Sequence, residues 1–95
     1  MITSKQRATL RSQSNGLETI FQIGKGGISD MLVQQMNDAL KAREMIKLRV
    51  LEKSMYDARE AAQILAEATE SEVVQVIGSR FVLYKRNPKD PVIDL

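Results

Sequence analysis

The sequence predicts an α/β fold, an α+β two-layer sandwich in which helices pack on a partly parallel sheet. Helical and strand patterns alternate along the chain, and capping residues or glycines mark the boundaries between them. The 95 residues also have the composition of one globular domain, with 43% hydrophobic and 27% charged side chains. The predicted order is αβαβαββ, with helices over 3–15, 29–42 and 57–69 and strands over 19–23, 46–50, 73–77 and 80–84.

Local signals bound the first helix and the first strand. Thr3 followed by Gln6 is the pattern of a capping box, which predicts that a helix begins there. Asn15 and Gly16 are expected to end the helix, since glycine adopts the left-handed conformation without strain. Residues 19–23 are β-branched and aromatic and are followed by glycine, so they are predicted to form a strand.

The second helix follows a glycine-rich loop. Ser29 is predicted to be its N-cap, and Asp30 complements the positive end of the helix dipole. Residues 46–50 alternate between apolar and basic side chains, which predicts a half-buried strand with Lys47 and Arg49 on one face. The apolar side chains of the second helix recur at helical spacing: Ile28, Leu32, Met36, Ala39 and Leu40.

The third helix is predicted to begin at Asp57, an N-cap residue, and to precede a hairpin that turns at Gly78. Phe81 and Tyr84 fall on opposite faces of the last strand, so we expect at most one of them to enter the core. The predicted buried stripe of the helix consists of Ala58, Ala61, Ala62, Leu65 and Ala68.

A single domain is predicted over residues 1–86, because no repeat, linker or low-complexity segment interrupts it. Residues 87–95 are expected to form an irregular and mobile tail, which contains both prolines, Pro88 and Pro91.

Missing residue types exclude several classes of function. The chain has no cysteine, which excludes disulfides and thiol catalysis, and no histidine, which excludes serine–histidine triads and nearly all transition-metal sites. No apolar run is long enough to span a bilayer, and no secretory signal pattern is found at the N-terminus. We therefore expect a cytoplasmic binding module without a cofactor, rather than an enzyme or a membrane protein.

Charge is distributed unevenly along the chain. The net charge is +2, with basic residues in excess over 1–53 and acidic residues in excess over 54–95. Such a bipolar surface suits a polyanion on one side, and nucleic acid is the most common such partner. The alternative is that these side chains only solvate the surface. The cations singled out are Arg7 and Arg11 on one exposed helix face and Lys47 and Arg49 on the second strand, with Arg80, Lys85 and Arg86 left open between the two interpretations.

The loop Gly24-Lys25-Gly26-Gly27, between a strand and a helix, has three interpretations as a phosphate-binding motif. It lacks the nucleotide P-loop pattern, and a dinucleotide fingerprint starting at Gly24 would need glycine where Ser29 stands. It matches the spacing of a G-x-x-G clamp on a nucleic-acid backbone, in which glycines allow close approach and the lysine adds a cation. A purely structural turn remains the alternative.

The whole chain resembles the CRM (chloroplast RNA splicing and ribosome maturation) domain in its stand-alone bacterial form, the YhbY family. The resemblance covers roughly residues 2–86. Two positions depart from the family pattern: Thr19 stands where proline is expected, and Glu70-Ser71 lacks the glycine that is usual after the third helix. The matching blocks lie at 3–7 with 10–11, 21–28 (FQIGKGGI), 42–44 with 46–51, 59–62 with 65–69, 74–78, and 82–84.

This resemblance implies a four-stranded mixed sheet with three helices, like the C-terminal domain of bacterial initiation factor three. It also implies RNA binding and association with precursors of the large ribosomal subunit (pre-50S particles), with no DNA partner. The family's RNA contact corresponds to Gly24, Lys25, Gly26 and Gly27. Two hypotheses result: an RNA-binding accessory factor that contacts large-subunit ribosomal RNA during assembly, or a protein-interaction module that docks on a ribosomal or assembly protein.

Overall fold

The computed structural model describes residues 2–89 and 91–93 and contains each predicted helix and strand, with ends within one residue of the prediction. The described residues contain no helix long and apolar enough to cross a membrane. The helices are α1 (Ser4–Ser14), α2 (Asp30–Arg43) and α3 (Ala58–Thr69), and the strands are β1 (Thr19–Ile23), β2 (Met45–Val50), β3 (Glu72–Ile77) and β4 (Arg80–Tyr84).

The predicted caps are present at the helix N-termini. In α1 the Thr3 hydroxyl accepts the Gln6 N–H at 3.1 Å, and the Gln6 side chain accepts the Thr3 N–H at 3.0 Å. Asp57 and Glu60 form the same reciprocal pair in α3, at 2.8 and 3.1 Å. The Ser29 hydroxyl caps α2. These bonds satisfy N–H groups that the first helical turn leaves without partners.

The four strands form one mixed sheet in the order β1-β2-β4-β3. The β1–β2 pair is parallel, whereas β2–β4 and β3–β4 are antiparallel. The β3–β4 pair is the predicted hairpin. This arrangement confirms the four-stranded mixed sheet with three helices that the family resemblance implies.

Helices cover both faces of the sheet. Helices α2 and α3 pack on one face, where Leu48 and Phe81 belong to the larger core cluster. Helix α1 packs on the other face, where its Leu10 contacts a smaller cluster that includes Val82 and Tyr84. The two-layer sandwich is therefore the sheet with α2 and α3, and α1 adds a partial layer that strand and helix patterns alone do not assign to a face.

Two core predictions were wrong. Phe81 and Tyr84 do lie on opposite faces of β4, but both are buried, with 1% and 3% exposure, because α1 covers the second face. Ala68 is exposed and Ala66 is buried instead. The reason is that the buried stripe of α3 follows steps of four residues, which reach Ala66 and Thr69 and pass Ala68 by.

The C-terminal segment has no helix or strand over the described residues, and its backbone donates hydrogen bonds to Glu44. Glu44 is fully buried at the end of α2, and its carboxylate accepts the N–H groups of Asn87 at 2.6 Å, Ile93 at 2.6 Å and Val92. Burial acts to raise the pKa of the Glu44 carboxyl, but these three N–H groups and the charge of Arg86 outweigh it and lower the pKa. The mobility of this segment stays a prediction. The expected tail also includes Asp90, Asp94 and Leu95, which lie outside the described residues.

Candidate nucleic-acid interface

The Gly24–Gly27 loop forms a tight turn with Lys25 exposed at its tip. The Gly27 N–H donates to the Gly24 carbonyl at 3.1 Å, which closes the turn. Gly27 has a φ of 72°, a conformation that side chains other than glycine rarely adopt. No atom lies within 4 Å of the position that a Cβ would occupy at Gly26 or Gly27, so this side of the loop is open to a ligand.

Helix α2 begins three residues after the loop, and its first turn carries the negative charge of Asp30. Ser29 caps the helix and accepts the Leu32 N–H at 3.1 Å, and the Asp30 carboxylate lies in the first turn. Because Asp30 complements the helix dipole, a phosphate at this end would meet a like charge. Attraction of an anion to the loop therefore depends on Lys25 and on the neighbouring strands.

The loop shares one edge of the sheet with the end of β2 and with the β3–β4 turn. The Leu51 N–H donates to the Ile23 carbonyl at 2.9 Å, immediately before the loop. The Val50 N–H donates to the carbonyl of Ser79 in the hairpin turn at 2.7 Å. The loop therefore lies at the same end of the sheet as the ends of β2, β3 and β4, with β2 next to it and β3 three strand positions away.

Helix α1 covers only part of its face of the sheet, and we call the uncovered part the open face. Side chains alternate along β2, so Lys47 and Arg49 point to the α1 side while Leu48 points into the main core. Arg49 lies directly opposite Arg80 in β4. The open face consists of Gln22, Lys47, Arg49, Gln75, Ile77 and Arg80.

The structure places Arg80 on the same face as the predicted Lys47 and Arg49, and Lys25 lies in the loop that follows β1 at the Arg49 end of the sheet. The parallel β1–β2 pairing places Gln22 opposite Arg49, two residues before the loop begins. The sequence left Arg80 open between RNA contact and solvation, since nothing local indicates that Arg49 is its neighbour. Arg49 and Arg80 therefore lie at the end of the sheet from which the loop emerges, and Lys47 lies two residues earlier on the same face of β2.

The two predicted arginines of α1 differ in their surroundings. Arg7 is partly buried, and its guanidinium donates to the Val73 carbonyl of the edge strand β3, which anchors the helix. It lines a surface depression with Glu67, Glu70 and Glu72, away from the loop. Arginine has five N–H donors, so the bond to Val73 leaves others that could contact RNA. The RNA contact of Arg7 stays a prediction.

Arg11 lies in the last turn of α1 and is exposed. Helix α1 runs along β3 from Glu72, whose carboxylate accepts the Ile2 N–H at 2.9 Å, to Gln75, which donates to Ser14 at 2.8 Å. This direction brings the end of α1 that carries Arg11 towards the open face.

Stacking and metal chemistry find little support at this surface. Tyr84, which could stack on a base only if it faced solvent, is buried under α1, and Phe81 is buried on the other face. Within residues 2–89 and 91–93, no three acidic side chains converge as they would in a metal site. The surface therefore offers cations, amides and open backbone.

The chain has clear relatives. Residues 2–85 match the CRS1 / YhbY (CRM) domain. The chain is 42% identical over its full length to a Bacillus subtilis protein named "Probable RNA-binding protein YqeI", 99% of which is covered. It is 33% identical to a Methanocaldococcus jannaschii protein named "Probable RNA-binding protein MJ0652", with 88% of this chain and 63% of that protein covered.

The solution structure of SAV1595 from Staphylococcus aureus is similar as well, with a TM-score of 0.82 and 46% sequence identity. The similarity covers 100% of this chain and 99% of that one. A domain match over nearly the whole chain, a full-length relative and a shared fold lead to one conclusion. This protein belongs to the CRS1/YhbY (CRM) domain family.

Proposed function

We propose that this protein binds RNA through the Gly24–Gly27 loop and the open face, and that it contacts ribosomal RNA of the large-subunit precursor as a cytoplasmic assembly factor. The observation that supports the proposal is that the loop emerges from the same end of the sheet as Arg49 and Arg80, which share one face with Lys47. The relatives named as probable RNA-binding proteins support RNA as the ligand. The ribosomal target rests on the resemblance to the YhbY family.

Recognition is expected to depend mainly on phosphates and on RNA shape. Lys25 at the tip of an unobstructed turn can approach a phosphate while the glycine backbone packs against the sugar–phosphate chain. The two aromatic side chains of β4 are buried, so stacking on an aromatic platform of that strand is not available. Binding should therefore depend steeply on salt, because each neutralised phosphate releases counterions.

The test measures affinity for fragments of large-subunit ribosomal RNA as a function of salt concentration. We expect Lys25→Gln and Arg49→Gln each to lower the slope of log K against log salt by about 1 and to weaken binding. Gly26→Asp should weaken binding without unfolding the domain, since the added side chain meets open space within the protein but a phosphate in the complex. Lys5→Gln, at an exposed position of the first turn of α1, is the matched control.

The cellular target is tested by crosslinking the tagged protein to RNA in growing cells and sequencing the attached RNA. A peak in large-subunit ribosomal RNA that is lost in the Lys25→Glu, Arg49→Glu double variant would support the proposal. Crosslinks spread over unrelated RNAs would contradict the ribosomal assignment. If Lys25→Gln and Gly26→Asp both left the RNA affinity unchanged, the assignment of the loop as an RNA contact would be contradicted.

Docking on a ribosomal or assembly protein is the second candidate, and exposed methionines favour it. Met31 in the first turn of α2 is 72% exposed, and Met55 in the connection after β2 is 71% exposed. Both belong to segments that leave the sheet at the end where the Gly24–Gly27 loop lies. Salt distinguishes the two candidates. Between about 50 and 200 mM salt, the affinity of an apolar protein interface would change little, whereas the affinity of an RNA site that neutralises six to ten phosphates would fall by about 10³–10⁵.

A further inference from the structure

A small cavity lies on the open face beside the end of α1. It has a volume of about 140 Å³, well below the roughly 300 Å³ at which sites for drug-sized ligands begin. It can therefore accept one planar group rather than a whole nucleotide. Its lining includes two amide side chains, two cations and two apolar side chains: Asn15, Gln75, Lys47, Arg80, Ile77 and Val82.

The Gln75 amide is held in a fixed orientation at this cavity. Its Nε2 donates to the Ser14 hydroxyl at 2.8 Å, and that hydroxyl donates to the Arg11 carbonyl at 2.8 Å. Ser14 is fully buried, so the bond occupies a defined position under α1. The amide oxygen and the second amide hydrogen of Gln75 remain for a ligand, and one acceptor beside one donor is the pattern that reads the edge of a base.

The charges around the cavity suit a nucleotide whose base enters it. The described lining includes Lys47 and Arg80 and no carboxylate. Arg80 lies opposite Arg49, which is paired in turn with Gln22 two residues before the loop. The cavity lies over β4, two strand spacings from β1, or roughly 10 Å across the sheet. A strand held at the loop by its phosphates can therefore reach the cavity within a few nucleotides.

We infer that this cavity receives one unpaired base of the bound RNA, whose edge is read by Gln75 and Asn15 while Arg80 stacks on it or contacts its phosphate. The inference rests on the proposed RNA-binding function and specifies the kind of RNA bound. A base inside a duplex has its pairing edge occupied and its faces stacked, so only a bulged, looped or terminal base can enter. The ligand is therefore a paired segment next to an unpaired nucleotide.

The experiment compares a paired hairpin, whose stem is fully paired and closed by a non-nucleotide linker in place of a loop, with the same hairpin carrying one bulged base, each of the four bases in turn. We expect the wild-type protein to bind at least one bulged hairpin about five- to tenfold more tightly than the paired one. Gln75→Leu should remove this preference and the discrimination among bases, and should lower the affinity for the bulged hairpin more than the affinity for the paired one. Gln35→Leu, an exposed glutamine of α2, is the matched control and should behave as the wild type.

Arg80→Gln provides a second variant at an exposed position, in case loss of the Ser14 contact perturbs folding in Gln75→Leu. It should lower affinity for the bulged hairpin more than for the paired one. A direct readout is the side-chain amide NMR signal of Gln75, which should shift more with the bulged hairpin than with the paired one.

Equal wild-type affinity for bulged and paired hairpins would overturn the inference while leaving the proposed function intact. So would equal losses on both RNAs in Gln75→Leu. Absence of binding to either RNA by the wild-type protein, with the Lys25 variants no different, would instead refute RNA binding itself.

Discussion

Replacing Glu44 with glutamine should loosen the C-terminal segment and destabilise the domain. The Glu44 carboxylate is fully buried and accepts three backbone N–H groups, with Oε1 facing Val92 and Ile93 and Oε2 facing Asn87. A glutamine has only one acceptor oxygen. If that oxygen takes the Oε1 position, the amide NH₂ faces the Asn87 N–H, and two donors oppose each other.

The magnitude comes from the number of bonds affected. A hydrogen bond to a charged group contributes about 1.5–3 kcal/mol, and the substitution loses at least the bond from Asn87. We therefore expect Glu44→Gln to lower the free energy of unfolding by about 2–3 kcal/mol. Urea denaturation measures this loss, and amide hydrogen exchange at Asn87, Val92 and Ile93 should become faster than in the wild type.

The same contact predicts a pH dependence. The pKa of the Glu44 carboxyl is lowered in the folded protein because the N–H groups and Arg86 outweigh the cost of burial. A carboxyl with a lowered pKa binds protons more readily when unfolded. Its stabilising contribution is therefore present above the unfolded pKa and is lost as pH falls through the folded pKa. Glu44→Gln should remove this part of the acid destabilisation.

Glu52→Gln, at an exposed position in the connection after β2, is the control for removal of a carboxylate. It should change the free energy of unfolding by less than about 0.5 kcal/mol. The reasoning would be refuted if Glu44→Gln fell within the same range and left the exchange of the three tail amides unchanged.

Three further stability predictions can be checked by urea denaturation. Gly27→Ala should lower the free energy of unfolding by about 1 kcal/mol because the φ of Gly27 is 72°, whereas Gly26→Ala should not change it measurably. Equal effects of the two substitutions would contradict the loop geometry. Glu70→Gly should stabilise the protein by up to about 1 kcal/mol because Glu70 adopts the left-handed conformation with φ 56°. A loss of stability would show that the side chain of Glu70 contributes more than the backbone strain costs. Arg7→Met should cost about 1–2 kcal/mol through loss of the bond to β3, and Arg11→Met should not; similar values for both would argue against anchoring.

Much of the fold was predictable because its signals are local. The capping pairs of Thr3 with Gln6 and of Asp57 with Glu60 join residues three apart, so the sequence displays them directly. The missing glycine after α3 was also visible, and the structure places Glu70 there in the conformation that glycine would adopt without strain. Local steric and hydrogen-bonding preferences therefore determined where the elements begin and end.

Contacts between distant segments were not predictable in this way. Arg7 bonds to β3 across 66 residues, Gln75 bonds to Ser14 across 61, and Glu44 holds Ile93 across 49. None has a pattern that a single sequence displays, because each depends on the packing of α1 or of the tail against the sheet. The same packing buried Tyr84, which alternation alone left free to face solvent.

The sequence by itself determined the elements, the glycine loop with its exposed lysine, and the family. The tertiary structure decided which cations lie on one face of the sheet. The parallel β1–β2 pairing and the antiparallel β2–β4 pairing align Gln22, Arg49 and Arg80 across the end of the sheet where the loop begins, and α1 covers only part of that face. Charge along a chain is one-dimensional, whereas binding to a polyanion depends on the distances between cations in space. Those distances follow from strand order and register, which non-local pairing determines.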